Sequence, residues 1–128
     1  MSISMVRLGT PRKPHEGLRI GTVRRPPRGV PKAQFAKLDY YDVWLPALSP
    51  SPKLVAFAQR SRDEKSWSAF KRKFRSEMND PDASRLLDLL AALSHHANFS
   101  VGCYCENEQH CHRSVLRELL SDRAAQFS

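Results

Sequence analysis

All three cysteines of the 128-residue chain, Cys103, Cys105 and Cys111, fall within ten residues of one another, together with His110, His112 and Arg113. Residue types in this pattern support three chemistries. A thiol beside two imidazoles and a guanidinium, at the start of a helix, has surroundings that favour its thiolate and so its nucleophilicity. On that reading Cys111 is the candidate nucleophile, His112 handles protons, and Glu106 orients the histidine or accepts from a ligand. Cys105 is placed to resolve Cys111 as a disulfide partner. A second chemistry is zinc ligation by Cys103, Cys105, Cys111 and one histidine, although the ligand spacing departs from the usual Cys-x₂₋₄-Cys pairs and no second pair lies elsewhere. The third is a plain structural use: Cys103 as a small hydrophobe in the core and the rest a polar helix cap. Several thiol enzymes and nucleotide sites are excluded by spacing. There is no Cys-x-x-Cys, glycine-rich dinucleotide fingerprint or P-loop.

The elements around these residues read clearly. Asn98–Cys105 is rich in β-branched, aromatic and sulfur side chains and reads as a strand. A polar loop follows, and then an amphipathic helix with Val115, Leu116, Leu119 and Leu120 on one face. A strand, short loop and helix start is the junction at which open α/β sheets bind ligands, with backbone N–H groups and the helix dipole both favouring an anion.

Charge points the same way. The chain has 21 Lys/Arg against 13 Asp/Glu, a formal net charge of +8. Residues 1–33 hold eight of those bases and one acid, Glu16, together with five of the nine prolines and four of the five glycines. The rest of the chain is close to neutral. Within the basic third, Ile3–Leu8 and Leu18–Val23 read as strands. Arg24-Arg25-Pro26-Pro27-Arg28 leaves the second as a stiff loop whose prolines cannot continue a sheet ladder. Arg24, Arg25 and Arg28 on such a loop form a candidate anion clamp, because a guanidinium presents a planar fork of donors to phosphate or carboxylate.

The middle of the chain is expected to be helical: Asp39–Leu48, a helix from Ser51-Pro52 to about Arg60, one carrying Trp67, Phe70, Phe74 and Met78 on one face, and one opening at Asp80-Pro81. Lys71, Arg72 and Arg75 form the solvated back of the third. His95 and His96 follow the fourth, where the helix dipole suits them without a metal.

Val23-Arg-Arg-Pro-Pro-Arg28-Gly29, Trp44-Leu-Pro, Leu48-Ser-Pro, the Trp67…Phe70…Phe74…Glu77 helix and Cys105-Glu106…Cys111-His112-Arg113 together resemble the DUF488 domain family, and its YeaO-like branch in the Pro-Arg-Gly loop. The resemblance runs from about Leu18 to Leu120 and implies a small α/β fold. It assigns no residue roles. The YeaO-like pattern Asp-Arg-Leu-Trp-Pro-Arg-Gly has Val23 in place of its acid and Pro26 in place of its tryptophan.

The expected fold is one α/β domain over 1–128, with a mainly parallel sheet flanked by helices and residues 1–17 as a short strand plus loop extension. If the strands at 18–23 and 99–105 are parallel neighbours, Arg24, Arg25 and Arg28 meet Cys105, Glu106, Cys111, His112 and Arg113 in one pocket, with Tyr41 and Trp44 as an aromatic wall. The leading function is binding of a phosphorylated or otherwise anionic small molecule, with thiol chemistry. The alternatives are a nucleic-acid module using the basic third and the Lys71–Arg75 face, and a Cys/His metal-binding or redox-sensing protein. Three cysteines suit a reduced, cytoplasmic setting, and no apolar run is long enough for a membrane partner.

Overall fold

The computed structural model describes residues 1–60, 63–105 and 110–128. Four parallel strands form its sheet: β1 (Ile3–Arg7), β2 (Leu18–Gly21), β3 (Val43–Trp44) and β4 (Phe99–Cys103), in the order β1-β4-β2-β3. Four helices accompany them: α1 (Pro52–Arg60), α2 (Glu64–Glu77), α3 (Pro81–Leu93) and α4 (His112–Ser121). This is the α/β class expected, and every strand pairing is parallel. Among the described residues no helix is long and apolar enough to cross a membrane.

β4 is the centre of the sheet and is buried along its whole length. It pairs with β1 from Ile3↔Phe99 to Arg7↔Cys103, and with β2 from Leu18↔Phe99 to Gly21↔Gly102. Because all run the same way, the ends of β2 and β4 emerge at one edge of the sheet. Residues 1–17 therefore contribute a full strand to the sheet as well as a loop. The outer side of β1 is covered by the C-terminus, where Ile3 N–H donates to the Gln126 carbonyl and Ser128 N–H to that of Ile3.

Helix starts follow the capping residues in the sequence. The Asp80 carboxylate accepts from Asp82 N–H with Pro81 in the first turn, and the Asp63 carboxylate accepts from Ser66 N–H. Ser51 caps α1 by accepting from Leu54 N–H, while its own N–H donates to the Glu77 carboxylate at the end of α2. That contact ties two helices at a point both caps need. The main core joins Ile20 and Val101 of the sheet to Phe70, Phe74, Leu87, Val115, Leu116 and Leu120 of the helices.

One expectation is corrected. Asp39–Leu48 is not a helix: Asp39 takes a left-handed backbone (φ 62°), Val43–Trp44 adds a short edge strand beside Ile20–Gly21, and Pro46–Leu48 makes a single 3₁₀ turn. The polar groups explain it. Asp42 is claimed twice by β2, its N–H donating to the Arg19 carbonyl and its carboxylate accepting from Arg19 N–H. Leu45 N–H likewise donates to the Gly21 carbonyl, and a proline follows. Apolar density without helical spacing was serving an extended segment.

Candidate functional site

The loop leaving β2 and the segment leaving β4 face one another across a cleft of about 940 Å³. Arg24, Arg25, Pro26, Pro27 and Arg28 line one side, and Pro50, Pro52, Val55, Ala56 and Gln59 the side formed by the start of α1. Cys103, Tyr104, Cys105, His112 and Tyr40 complete it. The described lining thus carries three guanidinium groups and no carboxylate.

The arginines differ in freedom. Arg24 is held by the loop itself, Nε donating to the Pro50 carbonyl and Nη2 to that of Ser49. Arg25 and Arg28 are exposed and make no ion pair among the described residues. The backbone under Arg25 is fixed, since its carbonyl accepts from the Tyr104 hydroxyl at 2.9 Å. Tyr104 also packs edge-on to Tyr40, which gives the cleft an aromatic side. Several basic residues elsewhere are spent on structure. Arg19 is buried against Glu16, Arg12 pairs with Asp39 and Asp42, and Lys71 and Arg75 of α2 reach Glu118 of α4.

The sulfur cluster sits where β4 ends and α4 begins. Cys111 is the N-cap residue of α4, 2% exposed, and Cys103 is 1% exposed. Cys105 is exposed and is the thiol beyond the strand end that opens into the cleft. Hydrogen bonds from the Cys103 thiol first, and from Cys111 next, hold Cys105 well below the usual thiol range, with the Arg113 charge adding to the effect. The same contacts push Cys103 and Cys111 up, so they stay protonated. Thiolate character is therefore concentrated on Cys105, whereas the sequence singled out Cys111.

His112 is fixed by its surroundings. Nε2 lies 2.6 Å from the Thr22 carbonyl, which can only accept, so Nε2 carries the proton. Burial lowers the imidazole below its usual value and keeps it neutral. Nδ1 is then the acceptor, facing the Cys111 thiol at 3.8 Å. Arg113 is 4% exposed. Its Nη2 donates to the Cys105 carbonyl, while its Nε has no partner and no carboxylate answers its charge among the described residues.

The other sequence candidates fall elsewhere. Tyr41 is buried with Leu8, Val23, Cys103 and Cys111, its ring where a Cβ on Gly21 would lie, and Trp44 donates its indole N–H to the Val23 carbonyl. Neither is among the described cleft residues. His110 turns away to stack on Trp67 and meet Glu64. Glu106 lies outside the described residues. Tyr40 and Tyr104 were not singled out by sequence; a signal for Tyr104 was its place between two cysteines of the cluster.

Chemically, Cys103, Cys111 and His112 bring one ligand atom each within 4.8 Å of one another, a group that could hold a metal ion. A family model described as the active DUF488-N3 subclade, DUF488-N3a, matches residues 3–124. The chain belongs to the DUF488 family. No match was found among curated proteins or solved structures. The DUF488 match spans every strand and helix of the fold, from β1 through α4, and takes in the loop, the cleft and the cysteine cluster.

Proposed function

We propose that this DUF488 protein binds a phosphorylated or similarly anionic small molecule in the cleft and carries out chemistry on it at the sulfur–histidine floor. The observation that carries the reading is the set of three guanidinium groups with no carboxylate among the described lining. Two of them, Arg25 and Arg28, are exposed and free to meet a ligand, and their loop is stiffened by Pro26 and Pro27. A preformed cationic rim loses little entropy on binding. A volume of about 940 Å³ suits a ligand of nucleotide size, and the Tyr40–Tyr104 side suits a planar group on it. Cys105 is the reactive sulfur of this scheme. His112 Nδ1 accepts a proton within the cluster, and Arg113 stabilises negative charge beside Cys105. The word "active" in the family description fits chemistry better than passive binding.

Calorimetric titration with inorganic pyrophosphate tests the reading. The wild-type chain is expected to bind it, and Arg25→Ala/Arg28→Ala to weaken binding by about 10-fold or more, since a hydrogen bond to a charged group contributes roughly 1.5–3 kcal/mol. Equal affinity in the double variant would overturn the cleft as the anion site. A gel shift with a short duplex at low and physiological salt separates the nucleic-acid reading, which requires duplex binding that falls steeply with salt.

A further inference from the structure

We propose that the floor of the cleft is a binding site for a soft or borderline divalent cation, zinc above all, held by Cys103, Cys111 and His112. The proposal goes beyond anion binding and stands whatever occupies the space above it.

The geometry comes first. Tetrahedral zinc with Zn–S of about 2.3 Å and Zn–N of about 2.0–2.1 Å places a sulfur and a nitrogen ligand roughly 3.6 Å apart and two sulfurs roughly 3.8 Å apart. The Cys111 sulfur and His112 Nδ1 lie at 3.8 Å, and the three ligand atoms all lie within 4.8 Å of one another. Closing onto a cation therefore needs movements of about an ångström or less, within side-chain freedom.

The histidine is already oriented as a ligand. Metal-bound imidazoles almost always give their other N–H to a carbonyl or carboxylate, which fixes the tautomer and aims the lone pair. Thr22 does this to His112, leaving Nδ1 toward the sulfurs.

The donor set also selects the ion: sulfur and imidazole suit zinc, whereas magnesium and calcium require oxygen ligands that the cluster lacks. Loading converts the two protonated thiols to thiolates and releases their protons.

Cobalt(II) titration of the full-length, chelator-treated chain tests this. We expect one cation per chain, a sulfur-to-cobalt charge-transfer band with the visible bands of tetrahedral cobalt, and displacement by zinc. His112→Gln and Cys111→Ser should weaken binding by about 10-fold or more, as losses at metal sites do. Absence of the charge-transfer band in the folded wild-type chain overturns the proposal, without needing any variant to fold. So does full-strength binding in both His112→Gln and Cys111→Ser. Pyrophosphate titration of the metal-free chain reads the anion proposal separately, so either can fail alone.

Discussion

Replacing Glu16 by Gln removes one charge from an ion pair that is almost sealed from water. Arg19 is 1% exposed and Glu16 4%. Arg19 Nε donates to Glu16 Oε1 at 2.6 Å, and its Nη1 donates to the Thr10 and Asp39 carbonyls. Ser100 Oγ and Lys13 N–H complete the carboxylate's partners. The pair thus joins the turn after β1, the strand β2, the segment before β3 and the centre of β4. An amide in place of the carboxylate leaves the guanidinium buried without its paired carboxylate and turns an N–H toward N–H donors. Breaking a buried pair from one side costs about 3–5 kcal/mol. With a urea m-value near 2 kcal/mol/M, roughly typical for a small domain, the midpoint should fall by about 1.5–2.5 M. Burial alone would raise the Glu16 carboxyl, but hydrogen bonds from Arg19, Lys13 N–H and Ser100 outweigh it and hold it below its ordinary value. A carboxyl lowered in the folded state contributes stability that is present above its unfolded value of ~4.3 and lost as pH falls through the folded one. Wild type should therefore lose stability on acidification below about pH 4 more steeply than Glu16→Gln does. Urea denaturation by circular dichroism across pH provides the assay. A midpoint shift equivalent to less than about 1 kcal/mol at pH 7, or identical acid slopes, would refute the reasoning.

Two further substitutions separate packing from function. Gly17 has φ 75°, and a Cβ there would sit 2.0 Å from the Asn98 carbonyl oxygen, backbone that cannot swing aside. Gly17→Ala should lower the thermal midpoint by well over the few degrees that ~1 kcal/mol represents, and an unchanged midpoint would contradict the close approach of β2 and β4 at this end. The Tyr41 hydroxyl is buried with no partner. Tyr41→Phe should be neutral or stabilising by up to about 1 kcal/mol and should leave pyrophosphate affinity unchanged, whereas a cleft-wall tyrosine would show a loss on titration.

Much of this architecture is legible in the sequence because local chemistry decides it. Ser51-Pro52 and Asp80-Pro81 announce helix starts by caps and proline geometry, and the Trp67–Phe70–Phe74–Met78 spacing can serve only a helix face. The meeting of Arg24, Arg25 and Arg28 with Cys105 and His112 follows from strand direction alone, once β2 and β4 are parallel neighbours. Asp39–Leu48 was opaque for a tertiary reason. Its apolar residues look helical in isolation, but Asp42 bonds back to Arg19 and draws the segment into the sheet edge. The division of labour among the thiols was equally hidden. Cys111 has the helix-start surroundings of a reactive thiol, yet as N-cap it is packed beneath Tyr41 and Leu8, and the sulfur left open is Cys105. Burial of that kind depends on residues far apart in the chain. Glu16 gave no local sign of its role, because its partner network is completed by Ser100, 84 residues away.

The most direct test of the cleft as an anion site is the alkylation rate of Cys105. Metal-free protein would be treated with iodoacetamide, a neutral reagent, and the modified residue located by mass spectrometry, with saturating pyrophosphate or with chloride at matched ionic strength. An anion held by Arg25 and Arg28 lies over Cys105, so pyrophosphate should slow its alkylation several-fold, and Arg25→Ala/Arg28→Ala should abolish the protection. Pyrophosphate that binds the chain yet leaves the Cys105 rate unchanged would place the anion elsewhere and contradict the account.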